Sequence, residues 1–186
     1  MLKTLIQLVL TLASFELGFS CDKCSTGILS GNLPLYAIKS IPFVKINEGY
    51  YHFGQEKVNW YRGYENCRKL GSDLVAFETP QEFDAVIGYL KGMGDCSDYW
   101  TSGNDLAQTG SHNWFTNALP ININRWARRQ PNNIGGNQHC VHLGYVYKSS
   151  TNFQLNDCPC KNHKKSSMKY VCEVPMQGPT SFVVGK

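Results

Sequence analysis

"LVAFETPQEFDAV", residues 74–86, changes its periodicity half-way along. Leu74, Val75, Ala76 and Phe77 form a continuous apolar run of strand length. Thr79-Pro80-Gln81-Glu82 then reads as a capping box with proline at the first helical position. The threonine hydroxyl can accept from an amide three residues on, the glutamate can reach back, and proline has no amide that would go unpaired. The helix opened here is expected to run to about Gly92 with Phe83, Val86, Ile87 and Leu90 on one buried face. Upstream, Val58 to Leu70 repeats the helical spacing at Trp60, Tyr61, Tyr64, Cys67 and Leu70 and stops at Gly71, which points Cys67 into the core. A short strand containing Tyr50, Tyr51 and Phe53 precedes it.

Downstream of Gly92 the texture changes to glycine, asparagine and isolated tryptophans, Trp100, Trp114 and Trp126, which read as core or loop anchors. Strand candidates are Tyr99 to Ser102, His139 to Tyr145, Phe153 to Leu155 and Lys169 to Val174. Two helices followed by several short strands predict an α+β domain with long ordered loops, and loops of that length in a compact domain usually carry function.

The N-terminus bears on compartment. Lys3, the apolar run Leu5 to Leu12, and Gly18 and Ser20 before Cys21 read as a secretory signal peptide over residues 1–20. The run is too short for a membrane span, and no later segment is long enough. A leader is expected over 21–48, where Ser25, Gly27, Ser30, Gly31, Asn32 and Pro34 break any periodicity. The compact domain then covers 49–175, with a frayed tail at 176–186. All eight cysteines lie at or after Cys21, and in an oxidising compartment they form a disulfide framework. A content of 42% hydrophobic and 12% aromatic residues excludes a disordered chain. The net charge of +4 is mild and does not point to nucleic acid. Its densest piece, Lys161-Asn162-His163-Lys164-Lys165, reads as a solvated loop.

A second stretch raises the chemical question. "RRQPNNIGGNQHC", residues 128–140, is rich in amides where a metal site more often shows carboxylates. Calcium takes about 6 to 8 hard oxygen ligands, and amide carbonyls serve as well as carboxylates. Gln130, Asn132 and Gln138 in this loop, with Asn156 and Asp157 further on, are therefore the candidate ligands. A disulfide from Cys140 to the region of Cys158 and Cys160 would bring the two clusters together, and a cis bond at Pro131 would hold its flanking side chains in one plane. His139, Cys140, His142, Cys158, Cys160 and His163 can be drawn as a zinc site, but disulfides claim the sulfurs first in a secreted chain. His139 and His142, on a strand candidate, are expected to serve packing or hydrogen bonds. Neither a spare nucleophile with a base nor a nucleophile-elbow spacing is present, so catalysis is not expected.

In order along the chain, Trp60 and Cys67, "LVAFETPQEFDAV", "YWTSGND", "HNWF", "NRWARRQPNN", "HCVHL", "LNDCPC" and "YVCEV" resemble the C-type lectin-like domain family from about Gly49 to Val174. In detail the sequence is most similar to secreted insect lectins of the galactose-specific kind. The resemblance implies a site in which two neighbouring sugar hydroxyls coordinate calcium while its ligands also hydrogen-bond them. Gln130 and Asn132 match the specificity triplet, Gln138 the position two before the cysteine, and Asn156 and Asp157 the paired ligands, so all five serve metal and sugar alike. Gln130 replaces the glutamate of mannose-type sites, yet Asn132 is not the aspartate of galactose-type sites. Gln138 replaces a glutamate, and Leu155 stands where tryptophan is usual.

Asp157 is then the one carboxylate of the five, and so few charges predict weak calcium affinity, near ~10⁻⁴ to 10⁻³ M. Gln130 leans the site toward galactose, because an amide both donates and accepts. By the same resemblance Cys67 pairs with Cys172 and Cys140 with Cys160. That leaves Cys96 and Cys158 as partners for each other, and Cys21 and Cys24 for a local bond or a dimer. A dimer would agglutinate cells or microbes bearing galactose-containing glycans, as in innate immunity. The rival reading is a calcium-independent lectin-like domain that binds a protein or an anionic surface.

Overall fold

The computed structural model describes residues 42–161 and 167–175. The expected signal peptide, nearly all of the leader with Cys21 and Cys24, most of the basic run including His163, and the tail lie outside the described residues. In chain order the elements are β1 (Val44–Ile46), β2 (Gly49–Val58), α1 (Trp60–Lys69), β3 (Asp73–Leu74), α2 (Pro80–Gly92), β4 (Tyr99–Asn104), β5 (Asn113–Trp114), β6 (Cys140–Gly144), β7 (Gln154–Cys158) and β8 (Met168–Glu173). The fold is α+β, and no helix among the described residues is long and apolar enough to cross a membrane.

The strands join in the order β1-β2-β8-β4-β6-β7, with β3 against β8 and β5 against β4. Among these strands only the β4–β8 pairing is parallel, and an isolated parallel bridge joins Trp126 to Leu155. Pairing β2 with β8 sets the two ends of the domain side by side and leaves the chain between them free to build the loops.

The capping signal translates directly. Thr79 Oγ1 accepts from Glu82 N at 3.1 Å, Pro80 opens α2, and Phe83, Val86, Ile87 and Leu90 are its buried residues. The glutamate reaches one residue further back than a capping box requires: Glu82 Oε2 accepts from Glu78 N at 3.0 Å, and Oε1 from the Tyr51 hydroxyl at 2.7 Å. Burial of each such side chain stabilises by ~1.5–3 kcal/mol. They join a cluster with Phe77, Tyr99, Trp114, Leu143, Leu155 and Val171.

The first helix departs from expectation. It begins at Trp60, because Val58 still pairs with Met168 and its carbonyl accepts from Trp100 Nε1 at 2.8 Å, while Asn59 caps the helix by accepting from Arg62 N. Its buried residues are Trp60, Gly63 and Cys67, whereas Tyr61 and Leu70 are 37% and 39% exposed. Gly63 sits in this buried face, where a β-carbon would meet Tyr170 Cβ at 3.4 Å in ordinary contact, so the face that packs is lined partly by a residue with no apolar side chain to mark it. Val75 to Phe77 also continue β3 without joining its ladder. Their amides still find partners, Val75 N on Val171 O at 3.0 Å and Ala76 N on Glu173 Oε2 at 3.2 Å, as buried backbone must.

Disulfides join Cys67 to Cys172, tying α1 to β8, and Cys140 to Cys160, tying β6 to the segment after β7. The expected Cys96–Cys158 bridge is absent: both are free thiols. Cys158 lies on β7 opposite Cys140 and is buried in the cluster around both disulfides, whereas Cys96 is exposed beyond α2. Counting leftover cysteines cannot register that difference in depth. Burial, with Asp98 and Asp157 nearby, pushes the Cys158 thiol up to about 11, so it is held as an unreactive thiol.

Candidate functional site

The loop that carries Gln130 is fastened to the sheet before it reaches the site. Leu155 N donates to Arg125 O and Ala127 N to Leu155 O, both at 2.9 Å, so residues 125–127 run along the edge of β7. Period-two alternation on β7 places Leu155 and Asp157 at fully buried positions and leaves Asn156 half-buried between them. An aspartate at a core position needs donors. Asp157 Oδ2 receives two, Asn132 N at 3.0 Å and Asn133 N at 2.6 Å.

Those two amides follow Pro131, whose bond to Gln130 is cis. The loop beyond is knitted by its own amide side chains. Asn133 adopts the left-handed conformation (φ 44°) and accepts from Gln138 N at 2.9 Å. Ile134 N is shared by Asn132 Oδ1 at 3.0 Å and Gln138 Oε1 at 2.9 Å, which sets these two oxygens beside each other. The asparagines and glutamine thus do here what a regular ladder does elsewhere.

The remaining amides are oriented through their nitrogens. Asn156 Nδ2 donates to Asp157 O at 2.7 Å and contacts His142 Nε2 at 3.0 Å. Burial pushes the fully enclosed His142 ring down to about 4, so the ring is neutral and its Nε2 can accept. With both N–H groups occupied, the oxygen is the free end of Asn156. Gln130 Nε2 likewise donates to the Tyr147 hydroxyl at 3.3 Å, and that hydroxyl donates to Arg128 O at 2.7 Å.

Gln130, Asn132, Gln138 and Asn156 accordingly line one cleft of about 480 Å³, with Asp157 buried behind them. Gln130 Oε1 and Asp157 Oδ1 are buried without a hydrogen-bond partner among the described residues. A buried acceptor left bare costs about 1–3 kcal/mol, so both oxygens call for a positive partner. Hard oxygens, mostly neutral and adjacent, fit calcium. The residues present therefore suit the cation that the sequence pattern implies.

Two wall residues escaped sequence reasoning. Tyr147 is 17 positions from the glutamine it orients, with no motif to mark it. Asp98 brings a second carboxylate to the cleft wall, and its burial pushes that carboxyl above the usual range while Lys57 opposes the shift. Its signal was absent because it stands outside every loop motif. Among the described residues the zinc grouping does not form, and His163 lies outside them. Cys140 and Cys160 are bonded to each other, and His139 Nδ1 is turned to the buried Asp105 Oδ1 at 2.8 Å.

Comparison with known proteins bears on this geometry directly. The family model for the Lectin C-type domain matches residues 56–174, most of the chain. The chain belongs to the C-type lectin family. That family is carbohydrate-binding and non-enzymatic. This lectin is 57% identical to C-type lectin 37Da of Drosophila melanogaster over 186 residues, the whole of both chains. Its fold is similar to that of the C-type lectin CEL-I from Cucumaria echinata, with a TM-score of 0.62 and 19% identity, covering 73% of this chain and 96% of that one. Herring type II antifreeze protein is nearly as similar in fold, with a TM-score of 0.58, 18% identity and coverage of 73% and 98%. Fold alone therefore does not choose a ligand, and the side chains in the cleft of this lectin must do so.

Proposed function

We propose that this protein is a secreted lectin that binds galactose-containing glycans of cell or microbial surfaces through a calcium ion held by Gln130, Asn132, Gln138, Asn156 and Asp157. The observation that carries the reading is the pair of bare buried oxygens, Gln130 Oε1 on the wall of the amide cleft and Asp157 Oδ1 on a residue held by the backbone of Asn132 and Asn133. Secretion rests on the N-terminal pattern of Lys3, an apolar run and small residues before Cys21.

In this reading the calcium, when bound, supplies two coordination positions for neighbouring sugar hydroxyls. The protein supplies everything that orients them. Tyr147 fixes Gln130, the neutral His142 fixes Asn156, and the backbone of Asn132 and Asn133 fixes Asp157. Each flank of the cleft is an amide able to donate or accept, and the glutamine at 130 is the reason for preferring galactose to mannose.

The test is retention of the mature protein on galactose and mannose resins in millimolar calcium, followed by a chelator. The expected result is retention on galactose that the chelator releases. Equal retention on both resins would overturn the galactose preference. Flow-through by folded protein would favour the second reading, a calcium-independent domain for a protein or anionic partner, which the scarcity of carboxylates in the cage supports.

A further inference from the structure

Beside the amide cage lies a second cleft of about 500 Å³ with different chemistry, walled by Arg128, Arg129, Tyr147, Ser149, Ser150, Thr151 and residues 152 and 154. Its lining holds two guanidinium groups, four hydroxyls and two amides, and no acidic side chain. Neither arginine takes part in an ion pair among the described residues. The contrast with Arg125, three positions upstream, is direct: its guanidinium meets the Asp84 carboxylate at 2.7 Å.

The backbone explains how adjacent residues serve separate clefts. Arg129 turns through the left-handed region (φ 65°), which sends Gln130 to the cage while Arg128 and Arg129 line the neighbouring wall. Tyr147 belongs to both walls, accepting from Gln130 Nε2 and donating to Arg128 O. The two clefts thus share a partition one side chain thick.

Paired guanidiniums with no competing carboxylate match a tetrahedral or planar oxyanion, since arginine presents a fixed fork of N–H groups, and Ser149 and Thr151 add hydroxyls while those of Tyr147 and Ser150 donate to Arg128 O and Gln154 Oε1. A neutral sugar would gain little from two unpaired charges. We infer that the Arg128–Arg129 cleft is an oxyanion subsite, receiving a sulfate ester or carboxylate carried by a glycan whose neutral sugar occupies the amide cage. This rests on the cage being the sugar site. Because both arginines are exposed, the gain is limited by solvent, to about three- to tenfold in affinity.

The experiment uses the whole mature protein in millimolar calcium and three matched probes: lactose, lactose bearing a sulfate ester, and a galacturonate-terminated disaccharide. Each is measured against wild type, Arg128→Ala/Arg129→Ala, and Arg128→Lys/Arg129→Lys. Wild type is expected to prefer one anionic probe to lactose by three- to tenfold, the probe identifying sulfate or carboxylate. The alanine pair should abolish that preference while leaving lactose affinity within twofold, and the lysine pair should restore part of it. Equal wild-type affinity for all three probes, or a preference that survives the alanine pair, would overturn the subsite. Failure of the cage reading looks different: lactose then shows no chelator-sensitive binding, while an arginine-dependent preference for an anionic probe still supports an oxyanion site.

Discussion

Between α2 and β8, Glu78, Glu82 and Glu173 bring carboxylate oxygens within 4.8 Å of one another, whereas the loop cleft gathers five amides, with Asp98 on its wall and Asp157 buried behind. The two oxygen clusters carry charge differently. In the acidic cluster, burial pushes Glu82 up to about 7 and Glu173 up to about 8, with like charge adding to each, from Glu78 on Glu82 and from Glu82 on Glu173. Protons therefore relieve the repulsion there. Amides do not titrate, so the loop can crowd oxygens at any pH. The comparison teaches why the glutamines at 130 and 138 are compatible with a metal site: they lower charge without lowering the number of oxygens.

The largest test of this contrast is Asp157→Ala. It strips the acceptor from the amides of Asn132 and Asn133, with an expected loss of about 2–3 kcal/mol in urea unfolding and complete loss of calcium-dependent sugar retention. Retention at wild-type strength would remove Asp157 from the proposed cage. Next comes pH. Both glutamates hold protons in the folded state that the unfolded chain releases near pH 4.5, so their contribution to stability is fully present below that value and is lost as pH rises through about 7 and about 8. That contribution should decline steadily as pH rises from 4.5 to 8, and Glu82→Gln should flatten much of the slope in thermal melts recorded with chelator. An unchanged slope would place the titration elsewhere.

Gln138→Glu makes the loop resemble the acidic cluster. Adding a carboxylate should tighten calcium binding about tenfold by calorimetry and lower the stability of the metal-free protein at neutral pH. Unaltered affinity would show that residue 138 does not reach the ion. The smallest effect is expected from Tyr147→Phe, which frees Gln130 to rotate and should weaken calcium and sugar binding about threefold, within the ordinary net worth of one hydrogen bond. A mutant indistinguishable from wild type in both would make Tyr147 a bystander.

Local chemistry was the readable part. Thr79, Pro80 and Glu82 announce α2 because a cap is made between residues three apart, and the strand candidates on β4, β6, β7 and β8 overlap the observed strands for the same reason. Gly63 shows the limit. Spacing of large apolar residues selected Tyr61 and Leu70 for the buried face of α1, but that face includes Gly63, whose burial against Tyr170 no apolar pattern announces. Cys96 and Cys158 show another limit: parity suggests a partner, whereas burial depth separates them.

By itself the sequence determined the α+β class and the family, and it nominated the five oxygen-bearing residues, since each reading rests on a short motif or on motif order. Only the tertiary structure decided which end of each amide is free, because that depends on Tyr147, His142 and the Asn132–Asn133 backbone, which come from separate parts of the chain. It also placed Asp98 on the cleft wall and set Arg128 and Arg129, which make no ion pair among the described residues, beside the amide cleft. Motifs name donors and acceptors, but their direction is fixed by neighbours that the sheet, and not the sequence, brings within hydrogen-bond distance.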